Sequence, residues 1–99
     1  YVLKKKQSAK IVLAATVIDP KSGRKLEVLT NNLGVHFFSA NFFKGTDVGK
    51  MEKPFNFRES FALETQDYNS PNQKSFPTLL LKPGEKYERH TIFRFSSLK

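Results

Sequence analysis

The chain has 99 residues, of which 38% are hydrophobic and ten are Phe, with no Cys and a formal charge of +8. That size suits one domain or part of one, burying about 60–65% of its unfolded surface around a single modest core, and the aromatic content excludes a disordered chain. Lack of cysteine excludes disulfides and thiolate chemistry.

No apolar run is long enough to span a membrane and no signal-peptide pattern opens the sequence, so the expectation leans towards the cytoplasm. The lysines are scattered through turns and strand edges, apart from Lys4-Lys5-Lys6, which has no aromatic interleaving. The basic surplus therefore points to solubility rather than to a nucleic-acid surface.

Residues 1–10 mix apolar and basic side chains, as a strand end or a frayed terminus would. The run from Ile11 to Ile18 is β-branched and aliphatic, without charges at helical spacing, and predicts a strand. Asp19-Pro20-Lys21-Ser22-Gly23 supplies a turn, and Leu26 to Thr30 returns as the hairpin partner. Asn31-Asn32-Leu33-Gly34 breaks that strand. Val35 to Phe43 predicts a third strand or strand pair, in which the neighbours Phe37 and Phe38 must face opposite ways. Lys44 to Phe57 carries Gly45, Gly49 and Pro54, which suits a functional loop or an excursion with small strands.

Ser60 to Gln66 has the two-residue period of a strand. Phe61, Leu63 and Thr65 share one face, and Ala62, Glu64 and Gln66 share the other. Asp67 to Pro77 is polar and punctuated by proline, an ordered loop. Thr78 to Leu81 predicts a short apolar strand, and Lys82-Pro83-Gly84-Glu85 a type II turn. From Tyr87 to Phe95 the alternation is strong: Tyr87, Thr91, Phe93 and Phe95 line one face, marred only by Arg89. The expected architecture is all-β, an antiparallel β-sandwich built from hairpins and longer returns. The runs Ile11–Ile18 and Thr78–Leu81 look buried on both sides, in a chain too small to cover them. That points to a missing partner segment.

Glu64 on an otherwise hydrophobic strand costs free energy unless it is solvated or paired, which singles it out as a functional residue or an exposed position on an edge strand. The only histidines, His36 and His90, lie far apart and show no metal-ligand spacing, so both are expected to be structural or surface residues and no metal is expected. Asp19 and Asp47 suit capping roles in turns, while Arg58 and Arg94 either anchor carboxylates or stay solvated. There is no Gly-x-Ser-x-Gly elbow and no glycine-rich phosphate loop. A glycosidase needs two suitably placed carboxylates, and only one candidate stands out.

Several motifs in fixed order then carry a resemblance. Phe61-Ala62-Leu63-Glu64-Thr65-Gln66, Ser70-Pro71-Asn72, Phe76-Pro77-Thr78, Leu80-Leu81-Lys82-Pro83-Gly84-Glu85 and Thr91-Ile92-Phe93-Arg94-Phe95 resemble the C-terminal part of the aldose 1-epimerases, the galactose mutarotases. Upstream, Asp19-Pro20-Lys21-Ser22-Gly23-Arg24, Leu26-Glu27-Val28, Gly34-Val35 and Phe37-Phe38-Ser39-Ala40-Asn41-Phe42 follow the same order. The resemblance implies that residues 1–99 are the C-terminal third of a single large β-sandwich domain. It also implies interconversion of the α and β anomers of free aldohexoses such as galactose and glucose, without metal or cofactor.

By the same resemblance Glu64, the glutamate of Leu-Glu-Thr-Gln, is the general base, and Asn41 and Gln66 are weaker supporting positions near the sugar. The acid histidine and the residues gripping sugar hydroxyls belong upstream, on an N-terminal segment or a companion chain. Departures from the family pattern are Arg58-Glu59-Ser60 where His-Ser-Gly is common, Ala62 where cysteine is common, and His36 where glutamine is common. A non-catalytic carbohydrate-binding module and an inactive structural or regulatory relative are the alternatives.

Overall fold

The computed structural model describes residues 1–4, 10–68 and 73–98. Lys5 and Lys6 of the basic triplet and the Ser70-Pro71-Asn72 motif lie outside those residues. Five strands are present: β1 (Val12–Ile18), β2 (Arg24–Thr30), β3 (Gly34–Phe38), β4 (Ala62–Gln66) and β5 (Thr91–Ser97). They form a three-stranded sheet of order β1-β2-β5 and a two-stranded sheet β3-β4. All pairings are antiparallel.

The β1–β2 hairpin forms as its sequence predicts. The Asp19 carboxylate accepts hydrogen bonds from the backbone N–H groups of Lys21 and Ser22 and from the Ser22 hydroxyl. The Ser22 hydroxyl and the Lys21 N–H hold its carboxyl below the usual value. Gly23, at φ +75°, occupies the left-handed position that closes the turn, and its N–H donates to the Asp19 carbonyl at 2.8 Å. A register shift between Leu13 and Ala15 interrupts the β1 ladder, a bulge in an edge strand.

In the three-stranded sheet Leu26, Val28 and Thr30 lie opposite Phe95, Phe93 and Thr91, so these side chains share one face. On the two-stranded sheet Val35 and Phe37 lie opposite Thr65 and Leu63. A hydrogen bond between the Thr65 and Thr91 hydroxyls brings these two faces together. Around it the seam is polar. Thr30 donates to the His90 carbonyl at 2.7 Å, and the Asn31 side chain accepts the His90 N–H at 2.7 Å. Each buried polar group at the seam thus has the partner its burial demands.

The apolar core among the described residues is small: Val28, Leu33, Val35 and Ala40 are buried. The strands face each other over only part of their area, and Phe95, on the inward side of β5, remains 76% exposed. The arrangement is all-β and antiparallel, part of a sandwich rather than a closed one.

Three expected elements differ. The third strand ends at Phe38, not Phe43, because Ala40 turns the chain at φ +52°. Asn41 therefore sits in a turn, not on a strand. Thr78–Leu81 is not a strand, and Leu79, Leu80 and Leu81 are exposed rather than buried. With no strand beside it in the described residues, an apolar run has no ladder to join. The last strand begins at Thr91 rather than Tyr87, since Tyr87 and Arg89 turn instead to Asp67. The turn at Lys82–Glu85 forms as expected, with Gly84 at φ +85° and the Glu85 N–H on the Lys82 carbonyl at 3.0 Å.

Candidate functional site

The β3–β4 register decides which side chains can act together. Val35, Phe37, Leu63 and Thr65 face the first sheet, with the Phe37 and Phe61 rings 6.2 Å apart. The opposite face carries Gly34 and Gln66, His36 and Glu64, and Phe38 and Ala62 as successive cross-strand pairs. The alternation in Ser60–Gln66 is thus realised, with β4 itself spanning Ala62–Gln66. Glu64 and His36 are both exposed. A solvated carboxylate carries no desolvation cost, which is why an otherwise apolar strand tolerates it.

Gln66 is half-buried and, with His36, Tyr68 and Phe76, lines a depression of about 180 Å³ at the end of this face. The Tyr68 and Phe76 rings lie 4.6 Å apart at 46°. Glu64 and Gln66 are therefore brought onto one face, as expected. Asn41 is not. It lies past the Phe38–Ala62 end of the ladder, where its amide donates to the Ser39 hydroxyl at 2.9 Å and accepts from Arg58 Nε at 2.8 Å. Arg58 also stacks its guanidinium 4.8 Å from the Phe57 ring, so it engages an amide and an aromatic rather than a carboxylate. Arg94 does face a carboxylate, 3.8 Å from Glu27. His90 pairs on the surface with Glu88 at 3.0 Å.

Directly after β4 stands a group the sequence reading passed over as loop. Asp67 is 9% exposed and accepts four kinds of donor: Arg89 Nη2 at 3.0 Å, Arg89 Nε at 3.0 Å, the Tyr87 hydroxyl at 3.1 Å and the Leu33 N–H at 3.3 Å. Burial pushes its carboxyl up, but the Arg89 hydrogen bond and charge, with the Leu33 and Tyr87 donors, outweigh that and hold it below the usual carboxylate value. Burial and the neighbouring Asp67 charge push the Tyr87 phenol up. This knot ties the chain after β4 to the segments before β3 and before β5. The signal for it was present: Arg89 was the one charge on an otherwise apolar alternating face.

Asp67 is thus committed to Arg89 and is no second acid beside Glu64. Among the described residues no cluster of three His, Asp or Glu side chains offers a metal site. What the β3–β4 face offers is a solvated carboxylate, an imidazole across from it and an amide beside it. Such a set can hydrogen-bond hydroxyl groups and exchange protons with them.

The sequence, with its Leu-Glu-Thr-Gln strand, matches the family model for aldose 1-epimerase over residues 1–94. The chain belongs to the aldose 1-epimerase family, a family of carbohydrate isomerases. Among its relatives, it is 42% identical over 92 residues to the galactose mutarotase of Rattus norvegicus, covering 92% of this chain and 27% of that protein. It is 44% identical over 92 residues to the galactose mutarotase of Sus scrofa, again 92% and 27% of the two chains. To the galactose mutarotase of Homo sapiens it is 45% identical over 83 residues, 83% of this chain and 24% of the other. The chain spans about a quarter of the length of the curated relatives it matches.

Proposed function

We propose that this chain is the C-terminal part of an aldose 1-epimerase that interconverts the α and β anomers of free aldohexoses, galactose or glucose, with Glu64 as the general base. The observation that carries the reading is Glu64 itself. It is the carboxylate of the Leu-Glu-Thr-Gln strand, exposed on the face of β4 that turns away from the first sheet. Glu64 takes the proton of the anomeric hydroxyl while a histidine on a segment outside this chain protonates the ring oxygen. The C1–O5 bond opens, the C1 end rotates, and closure yields the other anomer.

Acid and base act on oxygens of one carbon, so their value depends on being held in place together. In this reading Gln66, two residues along on the same face, hydrogen-bonds a sugar hydroxyl beside Glu64. Asn41, held by Arg58, is at most a peripheral support. The large exposed apolar area favours completion by the remainder of the family fold, as an N-terminal segment or a companion chain.

In the enzyme so completed, Glu64→Gln should lower the polarimetric rate of α-D-galactose mutarotation by about 10²-fold or more while leaving sugar binding nearly unchanged. The second reading, a non-catalytic sugar-binding module, predicts instead that Glu64→Gln changes neither binding nor rate.

A further inference from the structure

The β3–β4 register places His36 directly opposite Glu64 on the same face, and both are exposed. Side chains so paired start from Cβ atoms about 4.5–5.5 Å apart. Among the described residues neither side chain has a hydrogen-bond or ion-pair partner, in contrast to His90, whose imidazole faces Glu88. The other titratable groups around His36 are otherwise disposed. Asp67 is held by Arg89, and the Tyr1 ammonium is bonded to the Val35 carbonyl at 2.8 Å. Tyr68 stacks with Phe76 at the wall of the adjoining depression. An imidazole at the rim of the aromatic-walled depression thus stands across the ladder from an exposed carboxylate.

We infer that His36 and Glu64 form an acid–base dyad, so that this chain carries slow mutarotase activity of its own, without the histidine of the segment outside it. The inference rests on the reading of Glu64 as the base. The two oxygens that exchange protons in ring opening are bonded to the same carbon, so a donor and an acceptor on neighbouring strands can reach both. Imidazole is the side chain that both holds and releases a proton in neutral water.

The O1 proton passes to the Glu64 carboxylate and the O1 electrons form the C1=O bond. The C1–O5 pair leaves with O5, which takes a proton from the His36 imidazolium. After rotation about C1–C2, O5 attacks the other face of the carbonyl and returns its proton to His36, while Glu64 returns its proton to O1. Each group ends as it began.

The test is polarimetry of fresh α-D-galactose with the 99-residue chain itself, against the same concentration of the Glu64→Gln/His36→Ala double variant, which keeps His90. The dyad predicts a rate above that control, lowered about tenfold or more by His36→Gln. It also predicts that added imidazole restores His36→Ala beyond imidazole's own effect on the double variant, which a merely structural His36 would not allow. No excess rate from the chain, or no loss in His36→Gln, or no imidazole rescue, overturns the dyad. A rate lost in Glu64→Gln but kept in His36→Gln removes the dyad and leaves Glu64 as base. A rate kept in both removes the base reading as well.

Discussion

At the scale of single residues, Glu64 and Asp67 are carboxylates three positions apart in opposite surroundings. Glu64 is solvated and open, whereas Asp67 is buried and satisfied by Arg89, Tyr87 and Leu33. Asp67→Asn removes the charge and one of the two acceptor oxygens that face the Arg89 guanidinium, the Tyr87 phenol and the Leu33 N–H, so it should cost about 1–3 kcal/mol in urea unfolding of the folded protein. The sign of the pH effect follows from the lowered carboxyl. Its stabilisation is complete above the unfolded value of about 3.9 and is lost as pH falls through the lower folded value. Asp67→Asn should therefore flatten the decline of stability below about pH 4, which acid titrations of the two proteins would show. An unchanged slope would mean that Asp19 and Glu88, also held below their usual values, carry that decline instead.

The Glu64 face was legible because a period of two is a strong signal in a strand flanked by polar turns. The place of His36 was not, because register joins residues that no local pattern connects. Arg89 stood out as the odd charge in its pattern, but its partner did not, because Asp67 lies 22 positions away in a loop.

At the scale of elements, turn chemistry was the most readable layer. Asp19 to Gly23 and Lys82 to Glu85 both adopt the turns their Pro and Gly positions predict. Gly23 sits buried at φ +75°, where a Cβ is strained. Gly23→Ala should lower stability by about 1–2 kcal/mol, with amide exchange quickening first in the β1–β2 ladder. If exchange quickens equally in β3–β4, the hairpin is not the local unit.

Strand ends were the least readable layer, and each error has a cause. Ala40 stops β3 by adopting a left-handed backbone that its type does not announce. Tyr87 and Arg89 leave the β5 pattern because a buried carboxylate draws both. Thr78–Leu81 has strand composition but no strand beside it, and composition cannot supply a ladder.

At the scale of the whole molecule, two magnitudes agree. The accessible surface is 8206 Å², against about 5,800 Å² for a compact monomer of this mass. The radius of gyration is 16.8 Å, against about 13 Å for a compact domain of this length. Phe93 and Phe95 on β5 and Leu79 to Leu81 before it are among the exposed apolar side chains. These proportions are those of an open arrangement with much uncovered apolar surface, in a chain that spans about a quarter of each relative's length. Phe95→Lys should accordingly weaken association with the remainder of the fold, measured by calorimetry, while leaving the β1–β2 hairpin intact.

The central claim is that this chain brings the base and that the rest of the family fold brings the histidine acid that makes ring opening fast. The most direct measurement titrates the chain into a polypeptide comprising that remainder and follows mutarotation of α-D-galactose, with complex formation tracked by native mass. The predicted result is a rate rising to a plateau at one chain per partner, far above the chain alone, and a Glu64→Gln chain that forms the same complex without the rise. A Glu64→Gln complex that reaches the wild-type plateau would contradict the account.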